Sequence, residues 1–140
     1  MSLIDSVILT PLKRIEHPLG DIMHVMKKSS PGYEGFGEVY FSTVNEGAMK
    51  GWKKHLRFTL NLVVPVGVIR FVIAEEENNE FTFKEVILGI KNYQRLTVPP
   101  GLWVAFAGID EFNLLQNVIE EEHDPNESNN CSLDSIDFNW

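Results

Sequence analysis

Lys53, His55, Arg57, Thr59 and Asn61 occupy every second position of the run from Trp52 to Val64. In an extended chain that spacing puts all of them on one face. An imidazole set among an ammonium and a guanidinium is equipped to move a proton on a substrate whose negative charge the cations hold. His55 and Lys53 are therefore the candidate proton-transfer residues, with Arg57, Thr59 and Asn61 as hydrogen-bonding neighbours. The opposite face of the run, Trp52, Leu56, Phe58, Leu60, Leu62 and Val64, is apolar apart from Lys54 and suits a core. The polar stripe then either faces solvent from an antiparallel sheet or lines a barrel pocket. Alternation alone does not choose between the two.

The elements that must carry this stripe read as strands. From Phe36 to Ile119 the sequence alternates with period two, is rich in β-branched and aromatic residues, and is interrupted by Gly, Pro, Asn and Asp. Strands are expected at about 36–44, 52–64, 67–74, 81–90, 93–98, 102–107 and 112–119. Pro65-Val66-Gly67 and the acidic, Asn-rich stretch Glu75 to Glu80 read as turns. Pro99-Pro100-Gly101 is a stronger stop, since two prolines without amide donors cannot sit inside a ladder. Short strands at such regular spacing predict a sandwich or barrel with little helix. Pro11 makes a helix over Asp5 to Ile15 unfavourable.

With 140 residues and 44% hydrophobic content, the chain is expected to form one domain around one core. Nothing approaches the run of about eighteen apolar residues that a membrane span needs, and no secretory pattern opens the chain, so a soluble cytoplasmic protein is expected. The net charge of −8 is concentrated in Glu120, Glu121, Glu122, Asp124, Glu127, Asp134 and Asp137, with no Lys or Arg among them. That balance argues against nucleic acid as a partner, while a few local cations can still hold a small anion. Residues 120–132 read as a polar loop. The apolar Leu133, Ile136, Phe138 and Trp140 that follow are expected to dock back on the body or on a second subunit. Cys131 is alone, which excludes an internal disulfide and any cysteine-rich metal site.

Three segments carry a resemblance to a known family. They are Lys50-Gly51-Trp52-Lys53-Lys54-His55, the pair of strands around Pro65-Val66-Gly67-Val68-Ile69-Arg70-Phe71, and Asn92-Tyr93-Gln94-Arg95-Leu96-Thr97-Val98-Pro99-Pro100-Gly101-Leu102-Trp103-Val104-Ala105-Phe106. In order and spacing, over about residues 36–125, they resemble the dTDP-4-dehydrorhamnose 3,5-epimerase family of cupins. There an Arg-Gly-x-His segment precedes a strand and a Pro-Pro-Gly-Phe-x-His-Gly-Phe segment closes the cup. The ending Ile136-Asp137-Phe138-Asn139-Trp140 is similar to the family's terminal Ile-x-Trp. The resemblance implies an all-β, RmlC-like jelly roll. It also implies an isomerase or epimerase of a dTDP-4-keto-6-deoxy sugar in surface polysaccharide biosynthesis, working as a cytoplasmic homodimer without a cofactor.

The resemblance also bears on the site. The family removes a proton next to the C4 ketone with a His and returns one from the other side of the ring with a Tyr. Here Lys53 stands at the place of that His, Asn117 at the place of that Tyr, and Val104 or its neighbour replaces the His of the Pro-Pro-Gly segment. The sister 3,4-ketoisomerases carry Arg-Gly-x-His-x-His-Lys, whose second His matches His55. Lys53, Arg57, Arg70 and Arg95 are candidates for the diphosphate, and Tyr93 or Trp103 for stacking on the base. A non-catalytic sugar-nucleotide-binding module is the competing reading. No metal is expected, because metal cupins open with Gly-x5-His-x-His where this chain has Gly47, Lys53 and His55, and one imidazole between cations is a poor ligand set. His17, His24 and His123 have no ligand-spaced partners and read as loop or surface residues.

Overall fold

A computed structural model of the chain describes residues 2–140. The alternating segments form strands throughout: β1 (Ile8–Pro11), β2 (Arg14–Ile15), β3 (Ile22–Met23), β4 (Glu38–Asn45), β5 (Met49–His55), β6 (Leu60–Val66), β7 (Val68–Glu77), β8 (Glu80–Gly89), β9 (Gln94–Val98), β10 (Trp103–Gly108), β11 (Phe112–Ile119) and β12 (Ser128–Asn130). Helix is limited to two short 3-10 turns, Leu3–Ser6 and Leu133–Ser135. Two five-stranded antiparallel sheets, ordered β1-β9-β6-β11-β4 and β12-β5-β10-β7-β8, form the all-β jelly roll. Inward residues of both sheets, among them Leu60, Leu62, Ile69, Phe71, Leu88, Leu96, Val104 and Leu115, build one core between them. Burial of side chains of this size stabilises the fold by about 1.5–3 kcal/mol each.

One departure from the sequence reading governs the site. The run 52–64 is not a single strand. β5 ends at His55 in one sheet and β6 begins at Leu60 in the other, with a bend at residues 56–59 between them. Crossing between sheets changes which parity points inward. In β5 the residues paired with the inward Val104 and Phe106 of β10 are Lys53 and Lys50, so Lys53 and His55 face in. In β6 the inward set is Leu60, Leu62 and Val64, and Asn61 faces out. The stripe predicted to be continuous is thus divided between the interior and the back of the facing sheet.

Smaller differences follow from edges and termini. Pro11 sits in β1, an outermost strand, where a residue lacking an N–H is tolerated. Pro65 lies inside β6 instead of in a turn, and Gly67, at φ +82°, makes the tight connection to β7. A Cβ there would collide with the Phe112 carbonyl and Asn113. The segment 133–140 packs Ile136, Phe138 and Trp140 on the outer face of the second sheet, against Trp52, Val72, Ala74 and Ala105. Phe138 and Trp140 meet edge to face, their centroids 5.4 Å apart.

Candidate active site

The open end of the sandwich holds a cavity of about 330 Å³ between the two sheets. Lys50, Lys53 and His55 project into it from β5, Val104 and Phe106 from β10, and Asn130 from β12. The facing wall is made by Tyr40 and Ser42 of β4, Leu60 and Leu62 of β6, and Leu115 and Asn117 of β11. Mostly apolar walls with a few convergent polar groups are the usual form of a small-molecule site. Gly51 allows β5 to approach β10, because a Cβ at that residue would collide with Ala105.

His55 is held from two sides. Its carbonyl accepts the amide of Gly101 at 2.7 Å, so the Pro-Pro-Gly turn pins its backbone. Its Nδ1 lies 2.6 Å from Oε1 of Glu127. The other oxygen of Glu127 accepts the amides of Leu56 (3.1 Å), Arg57 (2.9 Å) and Phe58 (2.9 Å). Glu127 is only 2% exposed. Burial pushes its carboxyl upward, but the bonds from His55 and from the Arg57 and Phe58 amides outweigh that and hold it below the usual glutamate value. An ionised carboxylate only accepts, so Nδ1 must carry the proton, and in the neutral imidazole Nε2 is the nitrogen with the lone pair. One buried side chain therefore shapes the bend between the sheets and sets the tautomer of the imidazole.

On the facing wall, Asn117 has its Oδ1 accepting the amide of Asn61 at 3.2 Å and its Nδ2 donating to the Tyr40 hydroxyl at 2.9 Å. Tyr40 and Asn117 are cross-strand neighbours in the β4–β11 ladder. Lys50 also donates to the Thr43 carbonyl at 2.9 Å. Among the described residues, no three His, Cys, Asp or Glu side chains gather in a way that could hold a metal ion.

Of the residues expected to act together, only Lys53 and His55 share the cavity. Arg57 sits in the bend and pairs with Glu121 and Asp124 at 3.1 and 3.3 Å, and the Thr59 amide donates to Glu120. Asn61 and Arg95 lie on the back of the first sheet, where Arg95, 1% exposed, donates to Asn61 Oδ1 and to the carbonyls of Val25 and Pro31. That arginine holds the segment 25–32 in place, and each of its three nitrogens is engaged doing so. Tyr93 donates to the His24 carbonyl on the same side. Arg70 is on the outer face of the second sheet, bound to Glu85 and the Trp140 carbonyl, and Trp103 packs there beneath Lys54. The expectation that these strands present their cations and aromatics to one cavity therefore does not hold. Asn61, Arg70, Arg95 and Trp103 have the parity of the outer face of their strands, and Arg57, Thr59 and Tyr93 lie outside the strands.

The sequence reading missed Glu127 and Tyr40. Glu127 lies in an acidic stretch with the composition of a solvated loop, and its only signal is that an oriented histidine needs an acceptor. Tyr40 does alternate with Ser42 on one face of a strand, a pattern that marks a shared inward direction.

No family model matches the chain, and no curated protein matches it. Solved structures do. A dTDP sugar isomerase from Desulfovibrio desulfuricans superposes with a TM-score of 0.90 at 32% identity, over 97% of this chain and 91% of the other. A dTDP-4-dehydrorhamnose 3,5-epimerase from Sulfolobus tokodaii gives 0.80 at 20% identity, over 94% and 80%. The 3,4-ketoisomerase QdtA from Thermoanaerobacterium thermosaccharolyticum, in complex with TDP-4-keto-6-deoxyglucose, gives 0.74 at 19%, over 87% and 85%.

Proposed function

We propose that this chain, which belongs to the RmlC-like cupin family of dTDP-sugar isomerases and epimerases, epimerises a dTDP-4-keto-6-deoxy sugar at a carbon beside its keto group. The observation that carries the reading is the Glu127–His55 pair at the cavity wall. A C–H bond next to a ketone is acidic because the carbonyl takes up the electron pair as an enolate. His55 Nε2, which has no hydrogen-bond partner among the described residues, is the atom to accept that proton, and Glu127 stabilises the imidazolium that results. Lys53, an exposed ammonium at the cavity wall, suits pairing with a substrate anion better than proton abstraction. The choice of sugar rests on the relatives' ligands and names. Surface polysaccharide assembly in the cytoplasm is the setting we assign, and a homodimer the working form.

The test is incubation with dTDP-4-keto-6-deoxyglucose in deuterated water. Deuterium should enter at C3, C5 or both, with inversion, and His55→Ala should slow that exchange by roughly 10²–10⁴-fold. A 3-keto product would make the protein a ketoisomerase. Tight binding without any exchange would make it a binding module. Either result removes the epimerase reading.

A further inference from the structure

On the back of the first sheet a second cavity, of about 280 Å³, lies between β1, the chain that follows it and the segment 24–31. It shares no lining residue with the candidate active site. Two of the residues around it, Thr10 of β1 and Arg95 of β9, are cross-strand neighbours whose side chains leave the same face of the ladder. Lys13, His24 and Lys27 complete its polar side. No Asp or Glu lines it, although the chain as a whole carries a net charge of −8.

The donors of the two strand residues are not all taken. The Arg95 guanidinium is buried, and its bonds go to the neutral oxygens of Asn61, Val25 and Pro31, so no carboxylate offsets its charge. A guanidinium has five N–H donors, of which those bonds account for three. Beside it, the Thr10 hydroxyl oxygen is buried and has no hydrogen-bond partner among the described residues. Buried charges are normally paired and buried hydroxyls normally bonded, because leaving them otherwise costs free energy. Lys13 and Lys27 also enter no salt bridge among the described residues.

We propose that this cavity binds a phosphate group, free or carried as a monoester on a small molecule. Ammonium, guanidinium and hydroxyl donors without a competing carboxylate are matched by an anion that presents several acceptor oxygens. A phosphate group presents at least three on one centre, with a charge of about −1.5 to −2 at neutral pH. A carboxylate would bring two oxygens and a single charge to a cavity that holds Lys13, Lys27 and Arg95. The phosphate would give the Thr10 hydroxyl an acceptor and Arg95 a counter-charge, which are the two things the fold itself does not supply.

Isothermal titration calorimetry of the full chain, with inorganic phosphate and separately with glycerol 3-phosphate, tests this. One phosphate group should bind per chain with a Kd below about 1 mM, and the tighter of the two probes tells the free form from the ester. Thr10→Val, and Lys13→Gln together with Lys27→Gln, should each weaken binding by about tenfold or more. Without phosphate, Thr10→Val should melt no lower than the wild type, since the hydroxyl it removes has no partner to lose. That result separates loss of a ligand contact from damage to the fold. Lys53→Gln, in the other cavity, should leave the affinity within about twofold of the wild type. Absence of saturable binding by both probes overturns the assignment. An affinity that survives Thr10→Val and the lysine pair also overturns it, and a fall in Lys53→Gln would then place the anion in the active-site cavity instead.

Discussion

Glu127 combines two tasks that a sequence pattern would assign to different residues. Three consecutive amides point at one of its oxygens and an imidazole at the other, so the negative charge of a buried carboxylate is held by four donors. Replacement by Gln keeps the size but gives up one acceptor for a donor that faces the Nδ1 proton. Glu127→Gln should lower turnover by roughly 10²–10⁴-fold, as loss of a histidine's orienting carboxylate does elsewhere, and stability at neutral pH by about 1–3 kcal/mol. Because the carboxyl titrates lower in the folded chain than its ordinary 4.5, its stabilisation is complete above that value and is lost as pH falls through the folded-state value. Melting curves taken from neutral pH down into the acid range should show a decline below about pH 4.5 in the wild type that is shallower in Glu127→Gln. Equal slopes would mean that another group controls acid unfolding. Neither this role nor that of Arg95 was legible in the sequence. A buried charge and a solvated one have the same letter, and their burial depends on segments about 70 residues away.

At the scale of elements, the strands from Phe36 onward were legible because period-two alternation is a local property. The bend at 56–59 was not. It contains no Gly or Pro, and its apolar positions continue the phase of the strand before it. What turns the chain there is Glu127, a tertiary contact. The change of inward parity between β5 and β6 then explains why Lys53 and His55 share the cavity while Asn61, expected on the same stripe, points to the back of the facing sheet. Strand β4 has a different consequence. It is the last strand of its sheet, so no further strand pairs along its outer edge, and its outward Val39 and Phe41 are 45% and 60% exposed. Uncovered edges of this kind invite pairing with another chain. Phe138 and Trp140, in contrast, are covered by their own chain and give no reason for a second one. Light scattering should give twice the 16.0 kDa chain mass, and Phe41→Lys should shift it toward the single chain. A wild-type mass of one chain would leave β4 as a plain solvent edge.

Over the whole molecule, the layout separates stability from chemistry. The core and the outer aromatic cluster under residues 133–140 lie on the two sides of the second sheet, and the cavity opens between the sheets where the first one stops being purely apolar. Composition made one core legible. The share of polar residues that face the cavity was not, because Lys53, Asn61 and Arg70 have equivalent local patterns and differ only in which surface their sheet turns outward. The bend has one more consequence, in how its amides meet solvent over time. The amides of Leu56, Arg57 and Phe58 lie beyond the end of β5, and a segment of that kind ordinarily trades its hydrogens with water through small local openings. Here the acceptor is residue 127, which directly precedes β12 and is held there by the pairing of β12 with β5. Those three hydrogens should therefore persist in deuterated buffer as long as the amides that β5 and β12 share, and be lost with them when that edge opens, whereas rapid exchange at Leu56 to Phe58 beside a protected β5 would show that Glu127 releases the bend on its own.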